Sequence, residues 1–162
     1  MQKKIYFALI FFIAGTLTLT HFSQEEYLRI AVNVEPRSIK QGKEGVLKLK
    51  ITPKNGIKIS SHPEFIIKLD KNNNLSFSKV FFTASELDFP TSQENDTVFL
   101  SLEKEVPINF KVNEDSLIGK HKISGEVVFT AVFNDKWSLK TYQKFYADFV
   151  SRKNHQLKAK RK

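Results

Sequence analysis

Four histidines, at positions 21, 62, 121 and 155, and the run Ser60-Ser61-His62-Pro63-Glu64 are the residues whose types suggest catalysis or metal binding. A hydroxyl, an imidazole and a carboxylate are the parts of a nucleophilic triad, in which the imidazole takes the hydroxyl proton and the carboxylate orients the ring. Triads are assembled across a fold rather than along five consecutive residues, so this run reads as a loop entering a strand. No two histidines have metal-ligand spacing, and no acid-rich loop has the form of a calcium site. The sequence contains no Gly-x-Ser-x-Gly, no glycine-rich phosphate loop and no dinucleotide-binding glycine fingerprint. It also contains no cysteine, which excludes disulfides, thiolate chemistry and cysteine-ligated zinc or iron–sulfur sites. Asn74-Leu-Ser76 and Asn95-Asp-Thr97 fit the glycosylation sequon, which matters only in a eukaryotic secretory route. The expectation is a non-catalytic domain with no metal and no cofactor.

The elements that would carry these residues are strands. A chain of 162 residues suits one domain with short appendages, and 41% hydrophobic with 12% aromatic residues is too apolar for a disordered chain. Period-2 alternation dominates. Val46–Ile51 turns Leu49 and Ile51 inward, with Val46 placed there through its neighbour Leu47, and Lys48 and Lys50 outward. Val106, Ile108, Phe110 and Val112 share one face, and 121–134 reads as a long, largely buried strand. Tyr142–Val150 is rich in β-forming aromatics; weaker strands are Tyr27–Asn33, Glu64–Leu69, Leu75–Phe82 and Val98–Leu102. Turn residues fall between them at Gln41-Gly42, Pro53–Gly56, Asp70–Asn74, Phe89–Ser92 and Ile118-Gly119. No window has a helical period. Eight or so strands predict an all-β fold, an immunoglobulin-like antiparallel β-sandwich over residues 25–150, preceded by an N-terminal signal helix.

The formal charge of +9 suggests a nucleic-acid binder until it is located. Residues 24–150 hold 18 cations and 17 acids, so the body is nearly neutral and no nucleic-acid partner is expected. The surplus lies at the ends. Residues 1–23 begin with Lys3 and Lys4 and continue with about 15 mostly apolar residues, the layout of a secretory signal peptide cut near Thr20 or Ser23, or of an uncleaved anchor. Residues 151–162 read as a basic disordered tail; Arg152, Lys153, Lys158, Lys160, Arg161 and Lys162 offer a weak contact with anionic membrane headgroups. An exported protein, periplasmic or envelope-associated and soluble once the signal is cut, is expected.

The order of segments resembles the N-terminal periplasmic domain of the thiol:disulfide interchange protein DsbD. The resemblance rests on Val46–Ile51 followed by Thr52-Pro53-Lys-Asn-Gly56-Ile57-Lys-Ile59 and Pro63. It continues in Val106-Pro107-Ile-Asn-Phe110 and in the Gly119-led strand through Gly125 to Phe129. In that family the strand enters a redox hairpin with two cysteines separated by five residues; Phe129-Thr-Ala131-Val132-Phe-Asn-Asp-Lys-Trp-Ser138-Leu139 keeps the frame, with Val132 and Ser138 at the cysteine positions. The resemblance therefore implies an immunoglobulin-like fold and no thiol–disulfide activity. It also implies an envelope protein partner, in that family a thioredoxin-like one, docking at the hairpin end. Phe133, Trp137, Leu139 and Tyr142 are the candidate docking patch; the alternative puts Phe133 and Tyr142 in the core with Trp137 capping it. Three roles stand open: a protein-binding module, an accessory of a thiol–disulfide or cytochrome-maturation relay acting through a cysteine-bearing partner, and a membrane-surface protein held by signal helix and tail.

Overall fold

The computed structural model describes residues 26–134 and 136–154. The chain runs through β1 (Leu28–Glu35), β2 (Ser38–Lys40), β3 (Glu44–Pro53), β4 (Ile57–Ser60), β5 (Ile66–Leu69), β6 (Leu75–Phe77) and β7 (Phe81–Thr83). A single helical turn, α1 (Ala84–Leu87), leads to β8 (Thr91–Glu94), β9 (Thr97–Leu100), β10 (Val106–Val112), β11 (Gly119–Phe133) and β12 (Trp137–Arg152). One sheet has the order β1-β3-β10-β6; the other runs β2-β12-β11-β4-β9-β8, with β5 also on β11 and β7 on β5. All pairings are antiparallel except β2 with β12. The fold is an all-β sandwich of two sheets. Among the described residues no helix is long and apolar enough to cross a membrane.

Alternation built the two inner faces as the sequence predicted. Leu47, Leu49 and Ile51 of β3 and Val106, Ile108, Phe110 and Val112 of β10 are buried. They meet Ile123, Val127, Phe129 and Ala131 of β11 and Phe145, Ala147 and Phe149 of β12 in one continuous core. Val46 is the exception: it is only half-buried, because Leu47 rather than Val46 has the inward phase. Where the sheets meet at one edge, the Gln143 side chain takes the place of a backbone partner. Its Nε2 donates to the Leu28 carbonyl at 2.7 Å and its Oε1 accepts the Leu28 N–H at 3.1 Å, so a side-chain amide closes the seam between β1 and β12.

Several expectations are corrected. The predicted strand Leu75–Phe82 is two strands, β6 and β7, in different sheets, since Ser78–Val80 carries the chain across. The turn expected at Phe89–Ser92 ends at Pro90; Thr91 and Ser92 belong to β8, whose four residues are all exposed and so carry no alternation to read. The helical turn also went unread, being too short for a period. It is held instead by local polar contacts: the Thr83 N–H donates to the Glu86 carboxylate at 3.0 Å. Lys79 binds the same carboxylate, and together they hold it down at about 2. The body does not end at 150. Ser151 is buried opposite Gly119, β12 runs to Arg152, and the buried Asn154 donates to the Gln41 carbonyl at 3.0 Å. The expected signal segment, and Lys158, Lys160, Arg161 and Lys162 of the expected tail, lie outside the described residues.

Candidate functional site

β11 and β12 form a two-stranded ribbon in unbroken register from Gly119 opposite Ser151 to Phe133 opposite Trp137. Its tip is the candidate site. Without a bulge, side chains alternate strictly, so Trp137, Leu139 and Thr141 share the face of Phe145, Ala147 and Phe149, the buried face of β12. They are nevertheless outside the core. Leu28, which starts β1, is bonded to Gln143, and the paired Pro53 ends β3 at the same level. Past that point, among the described residues, no strand of the four-stranded sheet continues beneath the tip.

An aromatic stack takes the place of that missing cover. The Phe133 and Trp137 rings lie nearly parallel, 12° apart with centroids 4.0 Å apart, and Tyr27 meets Phe133 edge-on at 5.2 Å. Phe133 is half-buried against the core, whereas Trp137 is 57% and Leu139 39% exposed. Tyr142 is 44% exposed but has the opposite phase, opposite Val128 on the outer face. The predicted four-residue patch is thus split: Phe133, Trp137 and Leu139 are on one face, and Tyr142 is on the other because it is an odd number of residues away. Neither predicted alternative describes the tip as a whole, since Tyr142 is not core and Trp137 is not buried.

Val132 and Ser138 are a directly opposed pair one step behind the tip, on the outer face. They line a cleft of about 310 Å³ together with Ser60, His62, Thr130 and Trp137. Thr130 is 4% exposed, and its hydroxyl has no hydrogen-bond partner. Opposed residues of an antiparallel pair have Cα atoms about 4.5–5.5 Å apart, inside the range a disulfide spans. The double variant Val132→Cys/Ser138→Cys is accordingly expected to close an intramolecular disulfide on oxidation. Enclosing so short a loop would stabilise the domain by about 2 kcal/mol. Thiol titration checks this; two persistent free thiols, or crosslinked dimers, would contradict the pairing.

The Ser60–Glu64 run starts on the last residue of β4 and continues as the loop expected before β5, and its side chains form no triad. The Ser60 hydroxyl donates to the His62 carbonyl at 2.6 Å and accepts the His62 N–H at 3.2 Å, so it braces its own backbone. Among the described residues no hydrogen bond joins the His62 ring to Ser60, Ser61 or Glu64. On its other side the loop borders a more apolar cleft of about 460 Å³, with Ser61, His62 and Glu64 facing Ser85, Asp88 and Phe89. His121 lies at the far end of the ribbon, its ring stacked on Phe149 at 5.3 Å and its Nε2 2.7 Å from the Leu117 carbonyl.

No protein-family model and no curated protein matches the sequence. Among solved structures, the chain is similar to the cohesin module of a Clostridium perfringens family 33 glycoside hydrolase. The TM-score is 0.36 at 10% identity, over 78% of this chain and 96% of that one. It is also similar to BcpA, the major pilin subunit of Bacillus cereus, with a TM-score of 0.40 at 10% identity, over 78% of this chain and 40% of the pilin. Likeness at this level concerns architecture alone.

Proposed function

We propose that this chain is an exported, non-catalytic interaction module of the cell envelope that presents the β11–β12 tip to a protein partner. The supporting observation is Trp137, a large aromatic left 57% exposed on a rigid stack rather than folded into the core. Exposed aromatics held in one orientation bind at low entropic cost and are the usual anchors of protein interfaces. Val132 and Ser138, which hold the two cysteine positions in the resemblance to the DsbD N-terminal domain, are opposed in the ribbon, and this supports reading the tip as the docking end. On this reading the partner is an envelope protein of thioredoxin-like type, and no electrons pass through this chain.

Photo-crosslinkers placed at Leu139 and, as a control, at Thr52 test the surface in intact envelopes. Crosslinks are expected at Leu139 only. Trp137→Ala should cut partner recovery roughly thirtyfold, the scale of a central interface aromatic, while moving the unfolding midpoint little. Equal recovery by wild type and Trp137→Ala would end the proposal. The accessory-relay reading uses the same surface, and is favoured if the captured protein carries a reactive cysteine pair trapped by thiol-blocking agents.

A further inference from the structure

The opposite end of the ribbon has a different character. The loop between β10 and β11 carries Leu117 and Ile118, adjacent aliphatic residues that are 73% and 60% exposed, the first being the most exposed large apolar side chain of the described residues. They are not loosely placed. The Leu117 carbonyl accepts the Ser151 hydroxyl at 2.5 Å and lies 2.7 Å from His121 Nε2; the Ser116 carbonyl accepts Gln41 Nε2 at 2.7 Å. These bonds fix the backbone and leave the two side chains pointing away from the domain.

The same bonds bring the loop to where cations gather. Lys40 is paired with Arg152, and Lys43 bonds Lys40 through its N–H and Val112 through its carbonyl. Lys120 and Lys153 follow directly from the loop and from β12. These five exposed cations share this end with Lys111, which is paired opposite Glu44, and with the acids Glu114 and Asp115. Beyond Asn154 the sequence adds Lys158, Lys160, Arg161 and Lys162 and no acid. Two aliphatics projecting from a cationic rim combine what a peripheral bilayer contact needs: apolar groups to enter the headgroup region and charge to meet anionic lipid.

We propose that this end of the sandwich docks on an anionic lipid bilayer, with Leu117 and Ile118 entering the interface and the cations of the rim lying on the headgroups. The site is independent of the Trp137 tip. Fourteen residue steps of β11 at about 3.3 Å each put the two ends roughly 45 Å apart. The described chain also starts beside the Trp137 tip, where Tyr27 packs on Phe133, and stops beside the Leu117 loop. A soluble polyanion would use the charges but leave Leu117 and Ile118 without a role, which is why the bilayer is favoured.

The test places the reporter at the loop, so that binding through any other segment is not counted. In the full chain, Trp137→Phe removes the native tryptophan and Ile118→Trp supplies a new one. Vesicles of 30% phosphatidylglycerol in phosphatidylcholine, with a brominated lipid as quencher, are added at 50 mM salt. Blue-shifted and quenched emission is expected, reversed by 0.5 M salt and absent with phosphatidylcholine alone. Leu117→Ser/Ile118→Ser should sediment with the charged vesicles at least tenfold less than wild type, with circular dichroism confirming an unchanged fold. Emission at 118 unaltered by charged vesicles would overturn the proposal. Sedimentation of the serine variant equal to wild type would overturn it as well, and would return the charge to a soluble polyanion.

Discussion

Gly125→Ala is expected to cost the domain about 3 kcal/mol, seen as a lower urea midpoint at unchanged slope. Gly125 sits in the middle of β11, between Leu69 of β5 and Phe145 of β12. A methyl group built there would lie 2.4 Å from the Lys68 carbonyl oxygen and 2.7 Å from Phe145 Cζ. The ring could move; the carbonyl belongs to the β5 backbone and could not without breaking its ladder. Phe145→Leu therefore should not rescue Gly125→Ala. Rescue would mean that the ring, not the backbone, is the obstacle. Glycine is normally a weak strand residue, and its place here follows from close approach rather than from a turn. Lost Gly125 packing would reach the candidate site because β11 holds both Val132 and Phe133 in register.

Phe65→Ala is expected to cost about 3–5 kcal/mol, the range for emptying a fully buried aromatic site. Phe65 has no exposed surface, meets Phe89 edge-on at 5.5 Å, and its carbonyl accepts the Ala84 N–H at 3.1 Å. It lies between β4 and β5, which pair with β11 at 130–133 and 125–128. One ring thus pins the 61–64 loop that borders both clefts. Hydrogen exchange should speed at Ala84 and at Ser61, whose N–H is bonded to the Val98 carbonyl at 2.9 Å. Phe65→Leu should keep most of that protection. If the alanine variant lost stability with the Ser61 amide still protected, the loop would be held by other contacts.

The two proposed surfaces differ in charge. Phe133, Trp137 and Leu139 give the tip an apolar surface, so a partner there would be chosen by aromatic packing. The Leu117 end concentrates cations, so its contact would weaken with salt. Ionic strength separates the two experimentally: recovery of a protein partner at the tip should survive salt that releases the far end from lipid.

Much of this was legible in the sequence because it is local. The inward phase of Leu47–Ile51, Val106–Val112 and 121–134 follows from alternation, which needs no knowledge of the neighbouring strand. The neutrality of residues 24–150 and the lack of any cysteine at Val132 and Ser138 are likewise properties of the chain itself. What alternation could not supply is where a strand loses its cover. Trp137 and Leu139 have the phase of the core residue Phe145, and among the described residues they are exposed where β1 and β3 stop at Leu28 and Pro53. Tyr142 joined them in the linear list because proximity along a strand ignores the flip of faces at each step. Ile118 stood in a predicted turn as a mere neighbour of glycine; that it shares one end with Arg152 and Lys153 depends on a ribbon that returns the chain beside its start. Hydrophobicity and charge are written residue by residue, but which surfaces they form depends on the lengths and registers of strands far apart in the chain.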